Sequence, residues 1–164
     1  MAVVKPFRGL RPPRALARDL ACLPYDVMNT LEAKKMARGK ECSLLHITRS
    51  EIDLPPDTDS HSDEVYKKSF ENFTLWQKNG WLLQDADPHF YIYAQTMKGR
   101  TQYGIVGCAS VEDYLNGIIK KHELTRPDKE EDRKNHIRYS SLNYNPFFLL
   151  TRMLQHLTPL SALL

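Results

Sequence analysis

The segment "DEVYKKSFENFTLWQKN", Asp63 to Asn79, places the tightest constraint on the fold. Val65, Tyr66, Phe70, Phe73 and Trp76 recur near helical spacing, and Gly80 follows as a stop signal. The spacing predicts an amphipathic helix over 63–79. Amphipathic helices bury such stripes, so the aromatic face is read as core rather than as a ligand surface. The rest of the chain has to supply something that covers it.

"HFYIYAQTM", "KGR" and "TQYGIVGCASV" together outline a β-hairpin, with β-branched and aromatic residues flanking a short Gly-containing turn. Gly104 and Gly107 in its second half mark a bulge or a close approach of the backbone. Upstream, "VVKPFRGLRPPRALARDLACLPYDVMN" starts as a short apolar strand and then carries prolines that favour an extended path over a long helix. Asn29 or Thr30 can cap the helix "LEAKKMAR", with Gly39 at its C′ position. "CSLLHITRSEID" reads as a strand, "LPPDTDSHSD" as a loop, Ser110 as a helix start, and "NPFFLLTRML" as an apolar strand or core run. Helices between unequal strands, without an internal repeat, imply an α+β fold: a mixed sheet with a central β-hairpin and flanking helices.

At 164 residues the chain fits one domain or part of a larger protein. Its 23 Lys and Arg are interleaved with 20 Asp and Glu, a net charge of +3, which speaks against a dedicated nucleic-acid surface. Cys22, Cys42 and Cys108 are odd in number and far apart, so they read as buried free thiols in a reducing compartment. The start "MAVVKPFRGLRPP" has no apolar run of signal-peptide type, and no stretch reaches the ~18 apolar residues of a membrane span. A cytoplasmic protein without a membrane partner is expected.

The densest ionisable chemistry lies in "IIKKHELTRPDKEEDRKNH", Ile118 to His136, where only three of the nineteen residues are aliphatic. Thr125, Pro127 and Asp128 mark a helix N-terminus by capping logic, and the helix is expected to run to about Arg138. Lys129, Asp132, Arg133 and His136 then fall at i, i+3, i+4 and i+7 on one face, where a globular helix usually carries its apolar stripe. One account is a solvated helix laced by the pairs Glu130–Lys134 and Asp132–His136. The other is an anion site, in which Arg126, Lys129 and Arg133 hold phosphate or carboxylate near the helix N-terminus and Glu123 or His122 serves as general base or acid.

Other constellations have plainer readings. Arg8, Arg11, Arg14 and Arg18 read as surface charge, Asp26 in "LPYDV" as a turn carboxylate, and His46 as a hydrogen-bonded strand histidine. No metal-ligand spacing, P-loop, G-x-S-x-G or G-x-G-x-x-G occurs.

"KPFRGLRP", "LPYDVMN", "SLLHITRSEIDLP", "YIYAQTMKGRTQYGIVG" and "DYLNGIIKKHELTRPDKEEDRKNH", in that order, resemble the bacterial and archaeal family known as domain of unknown function 1015. Longer members carry a D-G-H-H-R segment similar to the ParB and sulfiredoxin superfamily, which includes free-serine kinases. This chain lacks that segment and ends in the apolar "MLQHLTPLSALL". The resemblance therefore implies that residues 1–150 are the N-terminal part of such a domain, an incomplete one, inactive alone, and that residues 151–164 are an atypical tail left by truncation or frameshift.

The implied function is a small-metabolite or nucleotide-binding, serine-kinase-like phosphotransferase using ATP or ADP with Mg²⁺. Glu123, His122 and Asp132 are its candidate catalytic groups. Thr125, Arg126, Lys129, Arg133, His136 and Asp26 are its candidate ligand-binding groups, and its partner is a small, phosphorylated molecule. The alternative is a non-catalytic binding or regulatory module, with nucleic acid as the conceivable ligand.

Overall fold

Short strands and helices alternate along the chain in the computed structural model, which describes residues 1–24, 27–121, 124 and 126–143. In order they are β1 (Val4–Lys5), β2 (Leu10–Arg11), α1 (Ala17–Leu20), α2 (Thr30–Ala37), α3 (Leu45–Thr48), a 3₁₀ turn (Ser50–Asp53), α4 (Asp63–Lys78), β3 (Leu83–Gln84), β4 (Tyr91–Met97), β5 (Arg100–Val106), β6 (Cys108–Ala109), α5 (Val111–Leu115) and α6 (Pro127–Ser140). The class is α+β, as expected. In place of one mixed sheet, the described strands form three two-stranded antiparallel pairs, β1 with β6, β2 with β3 and β4 with β5. The chain divides into two compact units, one holding Met1–Arg8 and Asp87–Lys121, the other Gly9–Ala86 and the stretch ending at Leu142.

The helical unit is built around α2, α3, the 3₁₀ turn and α4. Asn29 caps α2 in a reciprocal box: its side chain accepts from the Glu32 N–H at 3.0 Å, and the Glu32 carboxylate accepts from the Asn29 N–H at 2.9 Å. Gly39 takes the left-handed C′ conformation at φ 74°. Met28, Ala33, Ala37, Leu45 and Ile52 bury together, with Cys22 packed against them; of the thiols expected to be buried, Cys22 and Cys42 are half-buried and Cys108 is exposed.

The stretch 42–53, expected as a strand, is helical instead. Its hydroxyls bond back to the local backbone: Thr48 Oγ1 donates to the Leu44 carbonyl, and Ser50 Oγ donates to those of His46 and Ile47. Such local bonds give the backbone an alternative to a sheet ladder.

The long helix α4 forms where the aromatic spacing places it, but one position of its buried stripe is exchanged. Val65, Tyr66, Ser69, Phe73 and Trp76 are buried, whereas Phe70 is exposed. Ser69 takes the inner place because its hydroxyl donates to the Ile47 carbonyl at 2.8 Å, which ties α4 to α3. On α6, Pro127 occupies the first helical position, and Ser141 ends the helix in the left-handed region at φ 54°, slightly beyond the expected Arg138.

In the other unit, β4 and β5 pair in continuous register from Tyr91↔Val106 to Met97↔Arg100 around the turn Lys98-Gly99, both at positive φ. Positive φ at both central residues is what a type I′ turn requires. The Thr96 and Thr101 hydroxyls meet across the strands at 2.8 Å. Gly104 pairs with Tyr93 without a bulge. Gly107 is a close approach: a Cβ there would lie 2.8 Å from Val4 Cγ1 and 3.0 Å from the Phe90 ring. Ser110 caps α5, accepting from the Asp113 N–H, and the Asp113 carboxylate accepts from the Val3 N–H at 2.7 Å. The apolar run 145–154 lies outside the described residues.

Gly107→Ala is expected to destabilise the protein by about 1–3 kcal/mol, because Val4 and Phe90 must both move to admit the methyl group. Urea unfolding at pH 7 measures this. A midpoint equal to that of the wild type would mean that the contact of β1 with this loop is not held in solution.

Candidate functional site

The charged face of α6 is sunk against α4. Asp132, His136 and Ser140 are buried at i, i+4 and i+8, and Arg133, Asn135 and Tyr139 beside them are half-buried. Tyr66, on α4 and itself buried, donates its hydroxyl to Asp132 Oδ1 at 3.0 Å. The Arg133 guanidinium grips the other oxygen, Nε at 3.2 Å and Nη2 closer still. The His136 ring stands edge-on to Tyr66 with centroids 4.8 Å apart, and its Nε2 lies 3.9 Å from Asp132 Oδ1. Tyr139 stacks on Tyr66 with centroids 5.6 Å apart. Ser140 Oγ returns to the His136 carbonyl at 2.6 Å.

This packing drives the protonation states apart. Burial raises the Asp132 carboxyl, but the Arg133 guanidinium and the Tyr66 hydroxyl outweigh it and hold the group below the usual carboxylate range. Burial and the positive charge of Arg133 push His136 down to about 4, against the opposing pull of Asp132. Burial and the bond to Asp132 push the Tyr66 phenol up to about 12. At neutral pH the cluster is an ionised carboxylate, a guanidinium and a neutral imidazole.

Of the residues singled out in the sequence, Asp132, Arg133 and His136 are thus brought together. Lys129 shares their face by spacing but is exposed, as expected of an ammonium without a buried partner. Arg126 is exposed and bound to Asp128, Nε to Oδ1 at 3.1 Å and Nη2 to Oδ2 at 2.6 Å, which pulls the Asp128 carboxyl down. Lys134 Nζ reaches Glu130 at 2.8 Å on the outer face, so the solvated account holds for that side of the helix. His122, Glu123, Thr125 and Asp26 lie outside the described residues. Among the N-terminal arginines, Arg11 is paired with Asp85 at 2.6 Å.

A second polar cluster was hidden by the strand reading of 42–53. His46 Nδ1 lies 2.8 Å from Asp53 Oδ1 and Nε2 lies 3.2 Å from the Lys40 carbonyl. Both neighbours are acceptors, which favours the protonated ring, the form in which both nitrogens donate. Asn72 Nδ2 donates to Asp53 Oδ2 at 2.9 Å and to the His46 carbonyl at 2.7 Å. The bond to Asp53 raises the His46 pKa. The Asp53 carboxyl is raised by burial but lowered further by His46. Arg49 breaks the helical path between α3 and the 3₁₀ turn, so no fixed spacing links His46 to Asp53 and the pair has no local sequence signal.

Among the described residues no group of three or more His, Cys, Asp or Glu is placed to hold a metal ion, and no helix is long and apolar enough to cross a membrane. The family profile described as "Protein of unknown function (DUF1015)" matches residues 4–162. The chain belongs to that family. Neither curated proteins nor solved structures give a match. Within this DUF1015 chain, the two polar clusters are therefore judged on their own chemistry.

The two histidines make opposite contributions to stability. His136, at about 4 in the native state against about 6.5 unfolded, costs stability as pH falls from about 6.5 towards 4, by up to about 1.4 kcal/mol per pH unit. His46, raised in the native state, adds stability that is complete below about 6.5 and is lost as pH rises through its native value. Denaturation between pH 4.5 and 8 is expected to show His136→Gln flattening the acid limb and His46→Asn flattening the alkaline one. An unchanged acid limb in His136→Gln would show that the imidazole is not buried in solution.

Proposed function

We propose that this DUF1015 chain is a small-metabolite or nucleotide-binding domain of phosphotransferase type, resembling free-serine kinases of the ParB and sulfiredoxin superfamily, with α6 as one wall of its site. The observation that supports the reading is the Asp132–Arg133–His136 cluster. Ionisable groups forced into different protonation states by a shared environment are characteristic of acid–base sites.

In this reading Arg133, with Arg126 at the N-cap and Lys129 in the first turn of α6, answers phosphoryl charge. Asp132, or Glu123 or His122 upstream, takes the proton of the acceptor hydroxyl, and Thr125, His136 and Asp26 contact the ligand. ATP or ADP with Mg²⁺ would supply the phosphoryl group. Transfer of that kind depends mainly on positioning and charge stabilisation.

A second reading is a non-catalytic binding or regulatory module. Asp132 and His136 are only 7% and 4% exposed, with both carboxylate oxygens engaged inside the helix pair, and this favours a bracing role.

The two readings separate in an assay of serine with ATP or ADP and Mg²⁺, followed by phosphorus NMR for phosphoserine. It is run on this chain and on a longer family member that carries the D-G-H-H-R segment. The phosphotransferase reading expects phosphoserine from the longer member and a loss of about 10²-fold or more when the aspartate matching Asp132 becomes Asn, with the unfolding midpoint monitored in parallel. Phosphoserine from neither protein removes the kinase. An activity that follows stability alone assigns Asp132 to bracing.

A further inference from the structure

A cavity of about 520 Å³ opens at the C-terminal end of α2, within the 300–1,000 Å³ usual for small-molecule sites. Lys34, Lys35 and Arg38 reach it from the last turn and cap of the helix. Gly39, at φ 74°, reverses the chain so that Lys40 and Glu41 return to the same cavity. Its apolar lining is Leu31, Ala37 and Ile52.

We propose that this cavity binds a small organic anion, a phosphorylated or carboxylated metabolite with an apolar body, whose charge is met by Lys34, Lys35, Arg38 and Lys40. Leu31, Ala37 and Ile52 receive its carbon skeleton. This site does not depend on the reading of α6.

Basic residues at a helix C-terminus also complement the macrodipole, which accounts for cations in the last turn. It does not account for Lys40 beyond the turn, nor for a concave surface between the cations. None of the four forms an ion pair with a described residue. Of the two lining carboxylates, Asp53 is already answered by His46 and Asn72, which leaves Glu41 against the four cations. His46 also holds the Lys40 carbonyl at 3.2 Å, so one wall is fixed by a histidine whose ring is fully engaged. A cation-rimmed concavity with an apolar lining concentrates anions and rewards those with a carbon body.

The full chain, titrated calorimetrically at about 150 mM salt with AMP, ADP, ATP, pyrophosphate and citrate, tests the assignment, since screening at that salt removes loose surface attraction. At least one organic anion is expected to bind saturably at one site, with amide shifts at Leu31, Ala37, Gly39 and Ile52. Its affinity should fall about tenfold or more in the double variant Lys35→Ala/Arg38→Ala and stay unchanged in Lys67→Ala. These side chains are exposed, so the variants should keep the fold, and circular dichroism checks it. Absence of saturable binding by every probe, equal loss in Lys67→Ala, or shifts confined to α6 would overturn the proposal. Pyrophosphate binding as tightly as every nucleotide, without shifts at Leu31 and Ile52, would overturn the apolar-body assignment.

Discussion

The hydrogen bond from Tyr66 to Asp132 is the contact on which the α4–α6 pairing depends. A helix whose inner face is Asp132, Arg133, His136 and Ser140 has little apolar area with which to drive its own docking. It can be buried only if each polar group finds a partner there. Tyr66 supplies what an aliphatic residue in the same place would not: a large ring that Tyr139 and His136 flank, and a hydroxyl that reaches a carboxylate oxygen. Arg133 takes the other oxygen, and Ser140 binds back to the helix. Removing one member leaves the others buried without their complement, so the interface is held as a set rather than as separate pairs.

What was readable from the sequence is what local chemistry decides. The length of α4, the Asn29 cap, Gly39 beyond α2, the Ser110 start of α5 and the hairpin around Lys98-Gly99 follow from residues within a few positions of one another. The stretch 42–53 was misread because its apolar residues suit a strand or a short buried helix equally. The decision is made by hydroxyls that bond back to carbonyls three and four residues earlier. The inner place of Ser69, instead of Phe70, depends on a carbonyl twenty-two residues away. The candidate site shows the same division. That Asp132, Arg133 and His136 share a face follows from spacing alone. That the face is buried depends on Tyr66, sixty-six residues earlier in the chain, and no window along the sequence contains both.

His46 and His136 show how similar pairs can shift a histidine in opposite directions. Each has an aspartate close by. His46 is half-exposed and directly hydrogen-bonded to Asp53 and to a carbonyl, acceptors that favour its protonated form. His136 is almost fully buried, 3.9 Å from an aspartate whose charge Arg133 already neutralises, so a second cation there would have to be desolvated for little return. The aspartate alone does not set the histidine. What matters is whether its charge is still available.

The buried cluster is also hard to explain by stability. An ionised carboxylate and a guanidinium lose several kcal/mol of hydration each on burial, and apolar residues of similar volume often hold such an interface equally well or better. A Leu-based face on α6 would have met the aromatic stripe of α4 at lower cost. An ionisable face in that position has physical consequences that apolar packing lacks. One possibility in physical terms is register, because Tyr66 and Asp132 meet in one alignment of the two helices, whereas apolar ridges tolerate several. The other is chemistry, because desolvation is what separates the protonation states of Asp132 and His136. Register needs only the bond between Tyr66 and Asp132. The Arg133 guanidinium answers the second carboxylate oxygen, and His136 stays neutral because that charge is already met, so both belong to the same satisfied set.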